Sequence, residues 1–153
     1  MPRQTRRVVI TGTGTVTPFG LGTSALWSAL CEGKSAVGPC RTFDFSGFPT
    51  NLVAQIPDEL FDVKAVVPKS YRKATKVMAR DIELAVGAAY EAVRAAGLIT
   101  KAHEPADGKT TIPVDRMGCH IGAGLIAAEE NELTAALATA RGADGKFDIS
   151  VWG

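Results

Sequence analysis

The sequence predicts an α/β fold, and three stretches indicate it. Residues 8–10 form an apolar, β-branched run that is typical of a strand buried on both faces, and a Gly-Thr-Gly turn follows it. Residues 71–96 carry apolar side chains at spacings of three and four, which is typical of a long, largely buried helix. Residues 116–123 repeat the first pattern and lead into a helix predicted over 126–141. We therefore expect a mixed β-sheet covered by helices, with residues 8–10 as a central strand.

The first glycine turn, Gly12-Thr-Gly14, suggests a phosphate-binding loop, but its context argues against one. The dinucleotide motif requires a third glycine that opens the next helix, and Thr17 stands at that position with Pro18 after it. The predicted helix begins only at Thr23, so its free amides are too far along the chain to bind an anion at the turn. A structural turn is the better interpretation, and we expect no cofactor.

Between the turn and the long helix the sequence predicts small elements. Thr23 is a suitable N-cap for a helix over 24–32, and Gly33 is a suitable stop. The loop over 34–49 carries three phenylalanines, which we interpret as anchors to the core rather than a stacking site. Alternating apolar residues within 52–56 predict a short edge strand.

The second half of the sequence predicts a surface loop, another helix and a final apolar stretch. Gly97 should end the long helix, and residues 101–113, rich in charge and proline, should form a flexible surface loop. Acidic residues open the predicted helix over 126–141, where they favour the helix dipole, and Gly142 should stop it. Four side chains of this helix are expected to face inward: Leu133, Ala136, Leu137 and Ala140. The sequence ends within an apolar stretch, 147–152, which indicates a truncated domain.

Size and composition limit the function classes. A chain of 153 residues can bury one proper core. Its 17 basic and 16 acidic residues nearly balance, so bulk charge favours neither a nucleic-acid nor a membrane partner. Three cysteines at irregular spacing give no disulfide framework, and no long apolar run or signal segment is present. These features predict a cytoplasmic protein.

The candidate nucleophiles and bases are weak. A reactive cysteine needs a helix N-terminus or a nearby cation or histidine. Cys31 is predicted at a helix C-terminus, Cys40 in a loop and Cys119 within a strand. His103 lies in the predicted flexible loop, and His120 is best explained as a sheet residue. No metal-ligand spacing occurs, so we expect no metal site and no catalytic residue in this chain.

One cluster stands out, at the predicted start of the long helix: Lys69, Arg72, Lys73 and Lys76. At helical spacing these cations would form two i, i+4 pairs on one face. Cations at a helix N-terminus oppose its dipole, so the cluster would cost stability there. The residues alone leave two interpretations open, a solvated face and a site for an anionic partner.

Two stretches together resemble a known family. Arg7-Val-Val-Ile-Thr-Gly-Thr-Gly-Thr-Val-Thr-Pro-Phe-Gly20, followed by Leu26-Trp-Ser-Ala-Leu30 and Gly33-Lys-Ser-Ala36, resembles the start of β-ketoacyl-acyl-carrier-protein synthases of the elongating type II kind. Asp115-Arg-Met-Gly-Cys-His-Ile-Gly-Ala-Gly124, with Glu129-Glu-Asn131 behind it, resembles the second strand and helix of that family. The similarity is collinear and extends over nearly the whole chain.

The resemblance implies the N-terminal part of a thiolase-like fold, incomplete without its C-terminal half, and a homodimer in the full-length protein. It implies a 3-oxoacyl-carrier-protein synthase of fatty-acid biosynthesis, which joins acyl and malonyl units by decarboxylative Claisen condensation. The family's cysteine and histidine motifs do not occur in this chain, so the resemblance assigns the activity to a parent protein and denies it to these 153 residues. Alternatives are a polyketide condensing enzyme, a chain-length partner subunit and a non-catalytic module that binds carrier protein.

Two functional features of the family match positions in this sequence. Arg72, Lys73 and Lys76, with Lys69 one turn earlier, fall where the family places basic residues that dock the acidic acyl carrier protein. Leu125 matches an apolar position that lines the acyl pocket, in an alignment that needs a short gap after it.

Overall fold

The computed structural model describes residues 7–124 and 128–152. These residues contain three α-helices and four two-residue strands: β1 (Val16–Thr17), β2 (Gly20–Leu21), α1 (Thr23–Cys31), β3 (Gly38–Pro39), β4 (Leu52–Val53), α2 (Arg80–Ala95) and α3 (Glu130–Thr139). Short 3-10 helices lie between and after them: Val63–Ala65, Lys69–Tyr71, Ala74–Val77, Lys101–His103, Val114–Arg116 and Ile149–Val151. The described residues therefore combine helices with small sheets, which is consistent with part of an α/β domain.

The sheets differ from the expected one. β1 pairs antiparallel with β2, and β3 pairs antiparallel with β4, so the described residues contain no mixed sheet. The predicted strand over 8–10 is wrong in this structure, because these residues are unpaired and Val8 and Ile10 are 94% and 86% exposed. The predicted strand over 116–123 is also unpaired and exposed. A strand needs a neighbour for its backbone groups, and neither segment has one within the described residues.

The first glycine pair packs against helix α2 and makes no left-handed turn. Neither Gly12 nor Gly14 has a positive φ. A Cβ at Gly12 would lie 2.6 Å from the backbone nitrogen of Ala96, and one at Gly14 would lie 2.7 Å from the Cβ of Glu91. Only glycine permits this approach of two backbones. The role of these glycines is therefore structural, but the predicted turn is wrong.

Helix α1 ends as predicted and begins differently. Gly22, with φ 97°, is the N-cap, so Thr23 is the first helical residue and caps nothing with its side chain. At the other end Gly33 adopts φ 66°, and Lys34 N–H donates to the Ala29 carbonyl at 2.9 Å. This is the Schellman arrangement that a glycine after a helix favours.

Helix α2 begins nine residues later than predicted, at Arg80. Met78 and Ala79 are extended, with ψ of 126° and 159°, and they separate α2 from the 3-10 turns before it. The C-terminus is as predicted, since Gly97 has φ 66° and Leu98 N–H donates to the Val93 carbonyl at 3.1 Å. The expected burial around much of the helix is not found. Its buried residues are Gly87 and Glu91.

Helix α3 is shorter than predicted, Glu130–Thr139, but it begins with the expected acids, with Glu129 as its N-cap. Of its four expected inward side chains, Ala140 is fully buried, Leu133 and Ala136 are half-buried, and Leu137 is 49% exposed. The helix stops before Gly142, because Arg141 already pairs with Phe147 in an isolated β-bridge.

The core lies between α2 and the segment that precedes it. Phe61, Val63 and Val67 are buried together, with Val16 and Leu84 among the side chains packed on them. The three phenylalanines of the 34–49 loop do not join this core, which corrects the sequence interpretation. Their rings pack on one another, with centroids of Phe43 and Phe45 5.8 Å apart and of Phe45 and Phe48 5.2 Å apart. The edge strand predicted within 52–56 is confirmed as β4.

Candidate functional site

The four predicted docking cations lie on 3-10 turns rather than on an α-helix. Lys69 opens the turn Lys69–Tyr71, Arg72 and Lys73 follow it, and Lys76 lies in the turn Ala74–Val77. All four are exposed. The predicted i, i+4 pairing is therefore wrong, because 3-10 turns align residues three apart.

The expected cost to the helix dipole also disappears. The first turn of α2 contains Asp81 and Glu83, which complement the dipole, and the cations lie before the helix begins. We call the four cations Lys69, Arg72, Lys73 and Lys76 the basic surface.

Buried residues and short hydrogen bonds fix the backbone beneath the basic surface. Val63 and Thr75 are 1% and 5% exposed, and the Thr75 hydroxyl donates to the Arg72 carbonyl at 2.9 Å. Ser70 Oγ donates to Glu104 Oε1 at 2.6 Å, which ties the first turn to the 101–104 region. The cations are consequently presented from an ordered scaffold, although their own side chains extend into solvent.

The positive charge of the basic surface has no short-range compensation in the described part of the chain. None of the ion pairs among residues 7–124 and 128–152 involves Lys69, Arg72, Lys73 or Lys76. Arg72 Nη2 donates to the Lys64 carbonyl at 3.3 Å, which positions the guanidinium without neutralising it. Four neighbouring cations of this kind attract an anionic surface.

Arg80, the first residue of α2, joins that helix to the segment over 56–61, and sequence reasoning missed it. Its Nη2 donates to the carbonyls of Ile56 and Phe61, each at 3.0 Å, and its Nη1 lies 2.7 Å from Glu83 Oε2. The guanidinium carbon lies 5.8 Å from the centre of the Phe61 ring, within the range of a cation–π contact. No local sequence pattern predicts the bonds to the Ile56 and Phe61 carbonyls, because these two residues belong to another part of the chain.

The three cysteines occupy different surroundings. Cys31 is the last residue of α1, as predicted, whereas Cys119 lies outside any helix or strand, so its predicted place in a strand is wrong. Both are exposed. Cys40 follows β3 with its sulfur 3.5 Å from the Thr42 hydroxyl, and that hydrogen bond lowers the pKa of the Cys40 thiol. None of the three is at a helix N-terminus, the position that best stabilises a thiolate.

No hydrogen bond joins a histidine to a cysteine within the described residues. His103 Nδ1 accepts a hydrogen bond from the Thr100 amide at 3.0 Å, which closes the cap of its own turn. His120 is exposed and lies in no strand, so its interpretation as a sheet residue is wrong. Within the described ranges there is also no group of three side chains able to hold a metal ion. The same residues include no helix long and apolar enough to cross a bilayer.

The model of the family described as "Beta-ketoacyl synthase, N-terminal domain" matches residues 5–149. The chain belongs to the β-ketoacyl synthase family. This synthase chain is 40% identical over 122 residues to the 3-oxoacyl-[acyl-carrier-protein] synthase 2 of Coxiella burnetii, a match that covers 78% of the chain and 26% of that protein. It is 31% identical over 120 residues to the protein of the same name from Synechocystis, with 78% and 26% covered.

A polyketide relative is similar too. The granaticin polyketide putative beta-ketoacyl synthase 1 of Streptomyces violaceoruber is 33% identical over 130 residues, which cover 84% of the synthase chain and 28% of that protein. The synthase chain thus spans about a quarter of the length of these relatives. Leu125, the predicted acyl-pocket residue, lies outside the described residues.

Proposed function

We propose that this chain is the N-terminal portion of a 3-oxoacyl-acyl-carrier-protein synthase of fatty-acid biosynthesis. The family match over residues 5–149 is the observation that carries this proposal. In the reaction, a cysteine takes the acyl chain from its carrier. Malonyl carrier protein then loses carbon dioxide, and the resulting carbanion attacks the acyl thioester, so a carbon–carbon bond forms and the cysteine thiol leaves. The cysteine would come from a part of a parent protein that these 153 residues do not supply.

The chain by itself is inactive in this proposal. None of its three cysteines lies at a helix N-terminus, and none is hydrogen-bonded to a histidine in the described residues, so neither device that generates a thiolate nucleophile is supplied. Purified chain incubated with acyl- and malonyl-carrier protein should release no carbon dioxide and form no 3-oxoacyl product. A full-length 3-oxoacyl synthase 2 serves as the positive control. Turnover by the purified chain that is lost when all three cysteines are replaced by serine would contradict the proposal.

The chain's own contribution is to dock the acyl carrier protein through the basic surface. The supporting observations are four exposed cations, no ion pairs to them among the described residues, and an ordered scaffold below them. Reversing two charges in Lys73→Glu/Lys76→Glu should weaken binding of holo acyl carrier protein by about 10- to 100-fold at low salt.

The matched control reverses two cations elsewhere, Lys109→Glu/Lys146→Glu. Both are more than four-fifths exposed and lie beyond the basic surface. This variant has the same net charge as the test variant, so a difference in Kd between the two variants reflects where the charges lie and not the total charge. Equal weakening in both variants, or in neither, would contradict docking at the basic surface.

A polyketide condensing enzyme is the second candidate, because relatives named for granaticin and actinorhodin synthesis match the chain. Comparing the Kd for a fatty-acid carrier protein with that for a polyketide carrier protein separates the two pathways. Two further alternatives, a chain-length partner subunit and a non-catalytic carrier-binding module, would also dock the carrier protein through the basic surface. They differ from the enzyme because their parent protein would not catalyse condensation. A homodimer of the parent and an acyl-pocket role for Leu125 rest on the family resemblance and complete the proposal.

A further inference from the structure

Two large apolar side chains interrupt the basic surface. Val77 follows Lys76 and is 85% exposed, and Tyr71 stands between Lys69 and Arg72 and is 58% exposed. An isolated exposed apolar residue is ordinary, but two of them among four cations form a mixed surface. Charged and apolar groups are combined in this way where one protein binds another.

The local backbone keeps Val77 in solvent. Thr75 is buried and its hydroxyl is bonded to the Arg72 carbonyl, so the inward face of this turn is already occupied. A 3-10 helix has three residues per turn, and the two residues after Thr75 therefore point away from the core. Ala79 is buried next, at 6% exposure. Val77 thus projects outward between two anchors, beside Lys76.

We propose that Val77 and Tyr71 are the apolar centre of the docking surface, and that the partner is an acidic protein surface with an apolar side chain in its middle. This inference rests on the carrier-protein docking proposed above. The four cations would steer the partner and set the association rate, whereas the two apolar side chains would exclude water on contact and set the dissociation rate.

Charge complementarity selects this partner over a second copy of the chain. Two basic surfaces facing each other would place eight cations together, and like charges across an interface oppose association. An acidic surface neutralises the four cations, and its apolar side chain covers Val77 and Tyr71. The proposal therefore commits to an acidic protein partner.

The test measures association and dissociation rates of holo acyl carrier protein with the full 153-residue chain. Val77→Ala should raise Kd by about tenfold, because a buried contact loses two methyl groups. The change should appear in the dissociation rate, with the association rate and the salt dependence unchanged. Tyr71→Ala should act the same way, while Val77→Ile and Tyr71→Phe should bind within about twofold of the wild type, because they keep the apolar contact.

The matched control is Val37→Ala, since Val37 is also exposed, at 59%, and lies outside the basic surface. It should leave both rates unchanged. If Val77→Ala and Tyr71→Ala bind like this control while Lys73→Glu/Lys76→Glu binds weakly, the inference is overturned and the docking proposal stands. If neither the apolar nor the charge variants change Kd, or if the wild type does not bind, both proposals fail.

Discussion

The carboxylate of Glu129 accepts a hydrogen bond from the backbone amide of Arg80, with Oε1 and N 2.9 Å apart. This bond joins the N-cap of α3 to the first residue of α2. The amides at a helix start lack partners within the helix, and Ala79, the N-cap of α2, has no side-chain acceptor to offer. Glu129 therefore supplies from a distant part of the chain the cap that α2 lacks.

Glu129→Ala should destabilise the fold by about 1 kcal/mol, because the Arg80 amide loses its acceptor. Urea unfolding measures the change. Glu129→Gln keeps a side-chain oxygen as acceptor and should therefore lose less stability than Glu129→Ala. Glu130→Ala, at the neighbouring exposed position, is the control. Equal stability of Glu129→Ala and Glu130→Ala would show that the cap contributes nothing.

Arg80→Lys should destabilise the fold by about 2–3 kcal/mol despite keeping the charge. A lysine presents a single ammonium and cannot reproduce the planar fork that bonds the Ile56 and Phe61 carbonyls together. The denaturation midpoint measures the effect, and exposed Arg141→Lys is the matched control. A midpoint equal to that of the control would contradict the anchoring role of Arg80.

Gly12→Ala should destabilise the fold by about 1–3 kcal/mol, because the new methyl group would collide with the α2 backbone at Ala96. Gly47→Ala provides the comparison. Gly47 has open space around its Cβ position and no positive φ, so alanine there should be neutral or slightly stabilising. Thermal unfolding of the two variants should differ clearly; indistinguishable transitions would mean that residues 7–14 do not pack on α2.

The Cys40 thiol should ionise at lower pH than an ordinary cysteine, because the Thr42 hydroxyl, helped by neighbouring amides, stabilises the thiolate and lowers its pKa. Thr42→Val removes that hydroxyl, so the pKa should rise and less thiolate should exist at any given pH. The pH profile of Cys40 alkylation, followed by peptide mass spectrometry, should shift to higher pH. Alkylation of Cys31 in the same samples is the internal control, and a profile unchanged at Cys40 would refute the assignment.

What could be predicted from the sequence is what neighbouring residues determine. The ends of α1 and α2 follow from Gly33 and Gly97, whose left-handed conformation is a local property. The start of α2 coincides with the hydrogen bond from the Arg80 amide to Glu129, a contact that no local pattern contains. The apolar runs at 8–10 and 116–123 have strand-like composition, but a strand also requires a partner, and none lies beside them in the described residues.

In the candidate site, too, the residue types could be predicted from the sequence and the local geometry could not. Residue type alone singled out Lys69, Arg72, Lys73 and Lys76, and all four are exposed. Their arrangement on 3-10 turns was not predicted, because helical periodicity continues through a region where Met78 and Ala79 are extended. The outward position of Val77 follows from that arrangement and was missed for the same reason.

The salt dependence of carrier-protein binding tests the central claim most directly. Kd for holo acyl carrier protein would be measured from low to high ionic strength for the wild type, Lys73→Glu/Lys76→Glu and Lys109→Glu/Lys146→Glu. The account predicts tight binding at low salt that weakens steeply as salt screens the basic surface, a much flatter dependence for Lys73→Glu/Lys76→Glu, and a wild-type slope for the control. Identical slopes for the wild type and Lys73→Glu/Lys76→Glu would contradict it.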